Sequence, residues 1–237
     1  MRIDRSAIHV VPLRGVIFDL DGTLVDTVDD IAAALNTALR EDGLPPLSNQ
    51  RVQELVGYGA RSLVEKALLT HGVEPRPSYV DEVTNRYLKL YSADPIITTR
   101  PFPFAGKMLA TLAAKGLAIG ICTNKPEKLA RLILERLGLD VYIDVVIASD
   151  SGYGQKPDPK PLLACVSQLE VSPAHVVYVG DHLIDVDTAR SAGISVVVVG
   201  FGYSTVPVHL LEADREIDCL SELPEALSSL FGECNAQ

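Results

Sequence analysis

Val16-Ile17-Phe18 runs directly into Asp19-Leu20-Asp21-Gly22-Thr23-Leu24-Val25-Asp26, and few folds accept such a stretch. The apolar triplet reads as a buried strand. Asp19 then falls at its C-terminal end, where ligands gather in open parallel sheets. Asp21 follows in a loop that Gly22 allows to turn tightly. Two carboxylates this close repel unless a cation lies between them. Mg²⁺ takes oxygen ligands, keeps several waters and completes its shell with substrate phosphate. The stretch therefore points to metal-assisted phosphate chemistry, although a plain acidic turn after a strand would use the same residues.

The pattern changes after Asp26. Val28, Ile31, Ala32, Leu35, Ala38 and Leu39 recur at helical spacing until Gly43, Pro45 and Pro46 stop them. Ser48 reads as the N-cap of a short helix through Leu55 and Val56. Gly57-Tyr58-Gly59 breaks it, and Arg61 to Leu69 and Tyr79 to Leu90 read as further helices. Residues 26–100 are thus expected to be all helix, with Pro101-Phe102-Pro103 as a stiff return linker. The remainder alternates. Leu117 to Cys122, Val145 to Ala148, Val176 to Val179 and Ser195 to Val199 are expected strands. Between and around them lie helices over Ala105 to Ala114, Glu127 to Leu137, Lys160 to Leu169, Leu183 to Ala192 and Leu223 to Leu230. Such alternation argues a parallel sheet covered on both faces. The expected architecture is an α/β core of residues 1–25 and 101–237, interrupted by a helical cap of residues 26–100. Met1 to Pro12 reads as a short tail. The cap leaves the core immediately after the paired aspartates, where it can cover them.

Composition narrows the function classes. Hydrophobic residues make up 47% of 237, enough for a sizeable core. The formal net charge of −10 argues against a nucleic-acid or anionic-membrane surface. Cys122, Cys165, Cys219 and Cys234 show no metal or disulfide spacing. Cys122 and Cys165 sit in apolar runs and read as small core residues. No signal peptide is visible, and no apolar run reaches the roughly 18 residues of a spanning segment. A soluble cytoplasmic protein acting on a small molecule is expected, with its oligomeric state left open.

Three further segments fall at expected strand ends. Thr123-Asn124-Lys125-Pro126 opens a helix, where Thr123 or Asn124 can cap it and free N–H groups can cradle a phosphate. Gly154-Gln155-Lys156-Pro157-Asp158-Pro159 holds a lysine that can neutralise a phosphate and a nearby carboxylate. Lys125 competes for that role, and Lys156 is favoured because the prolines fix its loop. Gly180-Asp181-His182-Leu183-Ile184-Asp185 repeats the strand-then-acid arrangement, with Asp185 one helical turn after Asp181. His182 is expected to line the helix start rather than to exchange protons. The ends of parallel strands share one edge of the sheet, and random acidic turns would not sort there.

Taken in order, Asp19-x-Asp21-Gly22-Thr23, Thr123, Lys156 and Gly180-Asp181-x-x-x-Asp185 resemble the four motifs of the haloacid-dehalogenase-like superfamily, over nearly the whole chain. The position of the insertion is similar to that of its helical-cap branch. The resemblance implies a Rossmann-like core and phosphoaspartyl chemistry with Mg²⁺. Asp19 would attack phosphorus, and Asp21 would serve as acid and then base. Thr123 and Lys156 would hold the phosphoryl group. Asp19, the Asp21 carbonyl and Asp181 would bind Mg²⁺, with Asp185 behind them. Metal-free dehalogenases of the superfamily lack the second aspartate, so Asp21 favours phosphate over halide.

Within the superfamily, Asp19 to Ile31, Thr123-Asn124-Lys125-Pro126 and Gly57-Tyr58-Gly59-Ala60 resemble the phosphoglycolate phosphatases. That resemblance implies hydrolysis of 2-phosphoglycolate to glycolate and phosphate. Asn124, Gly57, Tyr58 and Arg61 are the remaining candidates for contacts to substrate, Arg61 as partner of a carboxylate. Alternatives on the same machinery are another small phosphomonoester, such as a sugar phosphate, and a β-phosphoglucomutase-like phosphomutase. A non-catalytic binding module is the alternative from another class.

Overall fold

The computed structural model describes residues 12–232. The expected tail lies outside them except for Pro12, as does Cys234. The chain opens with β1 (Gly15–Phe18) and β2 (Val25–Asp26). Four helices follow: α1 (Val28–Arg40), α2 (Asn49–Gln53), α3 (Ala60–Thr70) and α4 (Pro77–Ala93). Then come β3 (Arg100–Pro101), α5 (Ala105–Ala114), β4 (Ala118–Cys122), α6 (Glu127–Arg136) and β5 (Val145–Ile147). The chain continues through α7 (Lys160–Gln168), β6 (Val176–Gly180), α8 (Leu183–Ala192), β7 (Ser195–Val199), β8 (Arg215–Ile217) and α9 (Leu223–Phe231).

Six strands form one parallel sheet in the order β5-β4-β1-β6-β7-β8. β1 is central, with Ile17 level with Gly120 on one side and Tyr178 on the other. All four of its residues are buried, as a strand with helices on both faces requires. Successive side chains serve opposite layers. Val16, Phe18, Ile119, Ile121, Val177 and Val179 join one core. Ile17, Tyr178, Val196 and Val198 join the other, beneath α7 and α8. The first core continues into the insertion through Leu35, Leu39, Leu68, Val80, Val83 and Tyr87, so the two parts share apolar packing.

The structure departs from the sequence reading in four places. Asp26 and Arg100 belong to strands: β2 and β3 pair antiparallel, Val25 with Pro101 and Asp26 with Arg100, so the insertion is not purely helical. Two-residue strands carry no periodicity to read. Pro101 is therefore part of a ribbon, which Phe102 extends by donating its N–H to the Leu24 carbonyl at 2.9 Å. β8 was not expected, because Arg-Glu-Ile lacks an apolar run; its two exposed charged residues suit a sheet edge. The short helix after Ser48 ends at Gln53, though Ser48 caps it as expected, accepting from Arg51 N. Finally, Pro126 rather than Thr123 or Asn124 takes the N-cap position of α6, and the Asp150 carboxylate accepts the Glu127 N–H at 2.7 Å.

Candidate active site

The C-terminal ends of β1, β4 and β6 bring three of the four acidic and polar segments together, and the loop after β5 supplies the fourth. Asp19 follows β1, Thr123 follows β4, Lys156 lies in the loop before α7, and Asp181 follows β6. All four are buried. Asp19, Asp181 and Asp185 each offer a carboxylate oxygen within 4.8 Å of the others.

Their hydrogen bonds distinguish them. Asp185 is fully engaged: Oδ1 accepts from Lys156 Nζ at 2.7 Å and Tyr178 Oη at 3.1 Å, and Oδ2 from the Asp181 and His182 N–H groups at 3.1 and 3.0 Å. Asp181 accepts from Thr23 Oγ1 at 2.9 Å and from the Tyr203 N–H at 2.7 Å. A carboxylate has roughly four lone-pair sites, so Asp181 retains acceptor capacity. Asp19 Oδ1 is buried and ion-paired with Lys156 Nζ at 3.0 Å, in a geometry short of a full hydrogen bond, so it too keeps acceptor capacity. Two glycines let the backbone close on Asp181. A Cβ at Gly22, where φ is +82°, would meet Asp181 Oδ2 at 2.5 Å, and one at Gly202 would meet Asp181 Cβ at 2.2 Å.

The electrostatics fit a bound cation. Burial pushes Asp19 up to about 6; Lys156 opposes the rise, and Asp185 and Asp21 add to it. Burial likewise holds Asp181 well above the usual carboxylate range, helped by Asp185 and Asp19. Burial alone would lower the Lys156 ammonium, but Asp185 and Asp19 outweigh it and hold it charged. Among the described residues, the four carboxylates of Asp19, Asp21, Asp181 and Asp185 thus gather around two ammonium groups, those of Lys156 and Lys125. Hard oxygen donors in this number suit a divalent cation.

Asp21 occupies a separate niche toward the insertion. Thr27 Oγ1 donates to its Oδ1 at 2.7 Å, and Lys125 Nζ donates to Oδ1 and Oδ2 at 2.9 and 3.0 Å. Lys125 also reaches Tyr91 Oη of α4 at 3.1 Å. The two lysines therefore divide the work: Lys156 serves Asp19 and Asp185, and Lys125 serves Asp21. A cavity of about 50 Å³ lies between these groups and the insertion. Its walls include Asp19, Asp21, Thr123 and Asp181 from the sheet edge and Gly57, Leu63 and Tyr87 from the insertion.

The remaining sequence candidates are placed as follows. Asn124 ties three loops together: its Nδ2 donates to the Gly57 and Lys156 carbonyls at 3.0 and 3.1 Å, and its Oδ1 accepts the Lys156 N–H at 2.9 Å. Its amide is thereby occupied by protein partners. Tyr58 packs edge-on to His182, 5.6 Å between centroids, beneath Lys66. Arg61 does not join the cavity walls. Its guanidinium pairs with Asp81 at 2.9 Å and Glu65 at 3.5 Å on an exposed surface. His182 is the N-cap of α8, as expected, its Nδ1 accepting from Ile184 N at 3.3 Å; burial lowers its pKa.

Sequence reasoning missed Tyr203. Its hydroxyl accepts the Thr27 and Val28 N–H groups at 2.7 and 3.1 Å and donates to Asp26 Oδ1 at 2.7 Å. It caps α1, while its own N–H holds Asp181. The signal was available, because Tyr203 follows the expected strand Ser195–Val199 at the same sheet edge.

The haloacid dehalogenase-like hydrolase family matches residues 16–199. A phosphoglycolate phosphatase from Rhodospirillum rubrum is 41% identical over 218 residues, covering 90% of each chain. An N-acetylmuramic acid 6-phosphate phosphatase from Pseudomonas aeruginosa is 35% identical, over 94% of this chain and 98% of the relative. Among solved structures, that of a predicted phosphoglycolate phosphatase from Haemophilus somnus superposes with a TM-score of 0.84 at 28% identity, covering 90% of this chain and 97% of the other.

Proposed function

Since the chain belongs to the haloacid dehalogenase-like hydrolase family, we propose that it is a Mg²⁺-dependent phosphatase that converts 2-phosphoglycolate to glycolate and phosphate. The observation that carries this reading is the buried cluster of Asp19, Asp181 and Asp185 at the sheet edge, in which Asp19 Oδ1 meets the Lys156 ammonium yet keeps acceptor capacity. The similarity to the Rhodospirillum rubrum phosphatase supports the substrate.

In this reading Asp19 is the nucleophile. One carboxylate oxygen bonds to phosphorus as the ester P–O bond breaks, giving an aspartyl phosphate. Asp21, poised by Thr27 and Lys125, hands a proton to the departing glycolate oxygen. It then takes one from the water that attacks phosphorus, which breaks the bond to Asp19 and regenerates its carboxylate. Thr123 and Lys156 hold the phosphoryl oxygens. Asp19, the Asp21 carbonyl and Asp181 would hold Mg²⁺, with Asp185 behind them orienting Lys156 and the Asp181 backbone. The bound ion would neutralise charge on the phosphoryl oxygens. Residues 26–100 act as the cap that closes the site to bulk water. A bulkier sugar phosphate is the second reading, favoured by the Pseudomonas aeruginosa relative.

The test is acid quenching during turnover of radiolabelled 2-phosphoglycolate, followed by peptide mapping. The label is expected on the peptide holding Asp19. Asp19→Asn should carry no label and release phosphate at least about 10³-fold more slowly. Undiminished turnover by Asp19→Asn would remove Asp19 from the role of nucleophile.

A further inference from the structure

We propose that Lys125 selects phosphomonoesters whose leaving group carries a carboxylate, by receiving that carboxylate on the cap side of the cavity. The proposal rests on the phosphatase reading above and narrows it to a substrate class.

The argument starts from charge. Among the described residues lining the cavity, Lys125 is the only lysine or arginine. Lys156 is engaged below Asp19 by Asp185 and Tyr178, and Arg61 is paired on the outside. The rest of the cap-side wall is largely apolar, with Ile31, Val56, Leu63 and Leu88 beside the ring of Tyr87. An anionic group entering such a wall needs a cation to replace its water. Lys125 is already desolvated, its side chain 4% exposed, and it lies 4.7 Å from the centroid of the Tyr91 ring.

Position supplies the second part. Lys125 Nζ touches both oxygens of Asp21, and Asp21 serves the ester oxygen. An ammonium there stands beside the leaving group. A carboxylate on the carbon that bears the ester oxygen falls within its reach by exchanging with one of the three acceptors around Nζ. A hydroxymethyl group at the same place brings no charge to pair. Lys125 is held from both sides, by core residue Asp21 and cap residue Tyr91, which fixes its ammonium at the junction of the two parts.

The experiment uses two matched pairs of substrates with the full-length protein. One is 2-phosphoglycolate against 2-hydroxyethyl phosphate; the other is 2-phospholactate against 1-hydroxypropan-2-yl phosphate. The unaltered protein should prefer the carboxylate member of each pair that it turns over. Lys125→Met should erase that preference, lowering kcat/KM for the carboxylate member by about 10- to 100-fold more than for the neutral one, mostly through KM. Lys125→Arg should keep part of the preference. Lys125→Gln, which has donors but no charge, repeats the comparison independently of how Lys125→Met folds. An equal fall for both members, or no preference in the unaltered protein, overturns the proposal. Turnover of the phospholactate pair without turnover of 2-phosphoglycolate would instead refute the phosphoglycolate reading, and Lys125 would be judged on that pair.

Discussion

Burial raises Asp19 to about 6, and this has a measurable consequence for stability. The folded, metal-free chain keeps a proton on Asp19 that the unfolded chain has released between the ordinary carboxylate value and about 6. The folded chain binds more protons in that window, so its stability falls as pH rises through it, by at most about 3 kcal/mol. A Mg²⁺ bound at Asp19 would compete with that proton. Its addition should therefore raise Tm strongly at pH 7.5 and much less at pH 5, as calorimetry with Mg²⁺ or EDTA can show. Equal shifts at both values would contradict the assignment of Asp19 as a ligand. The gathering of Asp19, Asp21, Thr123 and Asp181 at one sheet edge was legible because each sits at a strand end or the turn beyond it, and Asp185 follows Asp181 by one turn of α8. The partners of Arg61 and Asn124 were not. Arg61 is adjacent in sequence to the Gly57 to Ala60 loop, but the helix turns its guanidinium to Asp81 and Glu65, which no local pattern announces.

At the scale of elements, the joints between cap and core depend on single side chains far apart in sequence. Asp30 of α1 accepts from the N–H and hydroxyl groups of Thr98 and Thr99, which binds the start of the insertion to its return. Burial opposes ionisation of Asp30, but those donors outweigh it and hold the carboxyl below its ordinary value. From sequence, Asp30 is indistinguishable from an acid placed near a helix N-terminus. Tyr203 is the second joint. Thr27 provides no side-chain cap to α1 because its hydroxyl is turned to Asp21, and Tyr203 takes its place. Tyr203→Phe should strand the Thr27 and Val28 N–H groups and destabilise the chain by about 2–3 kcal/mol in urea unfolding. A change below about 0.5 kcal/mol would mean that α1 is held otherwise. Strands β1, β4, β6 and β7 were readable as continuous apolar runs; β2, β3 and β8 are too short or too charged to be.

At the scale of the whole molecule, a net charge of −10 surrounds a site expected to take an anion. Local placement resolves the conflict. Lys125 lines the cavity and Lys156 lies buried beside Asp19, and a Mg²⁺ bound at the acidic cluster would add its own charge. Parallel topology makes that placement achievable, because it puts segments separated by most of the chain length on one edge. The same topology made the core and its interruption readable from sequence. The closeness of the cap could not be read, since it depends on contacts such as Asn124 to Gly57 and Lys125 to Tyr91. Among the described residues, no helix is long and apolar enough to cross a membrane. The most direct measurement is phosphate release from 2-phosphoglycolate beside a panel of sugar phosphates and nucleotides, with Mg²⁺ and with EDTA. The account predicts strong release from 2-phosphoglycolate that EDTA abolishes and that exceeds the panel. Release undiminished by EDTA, or a preference for a sugar phosphate, would contradict it.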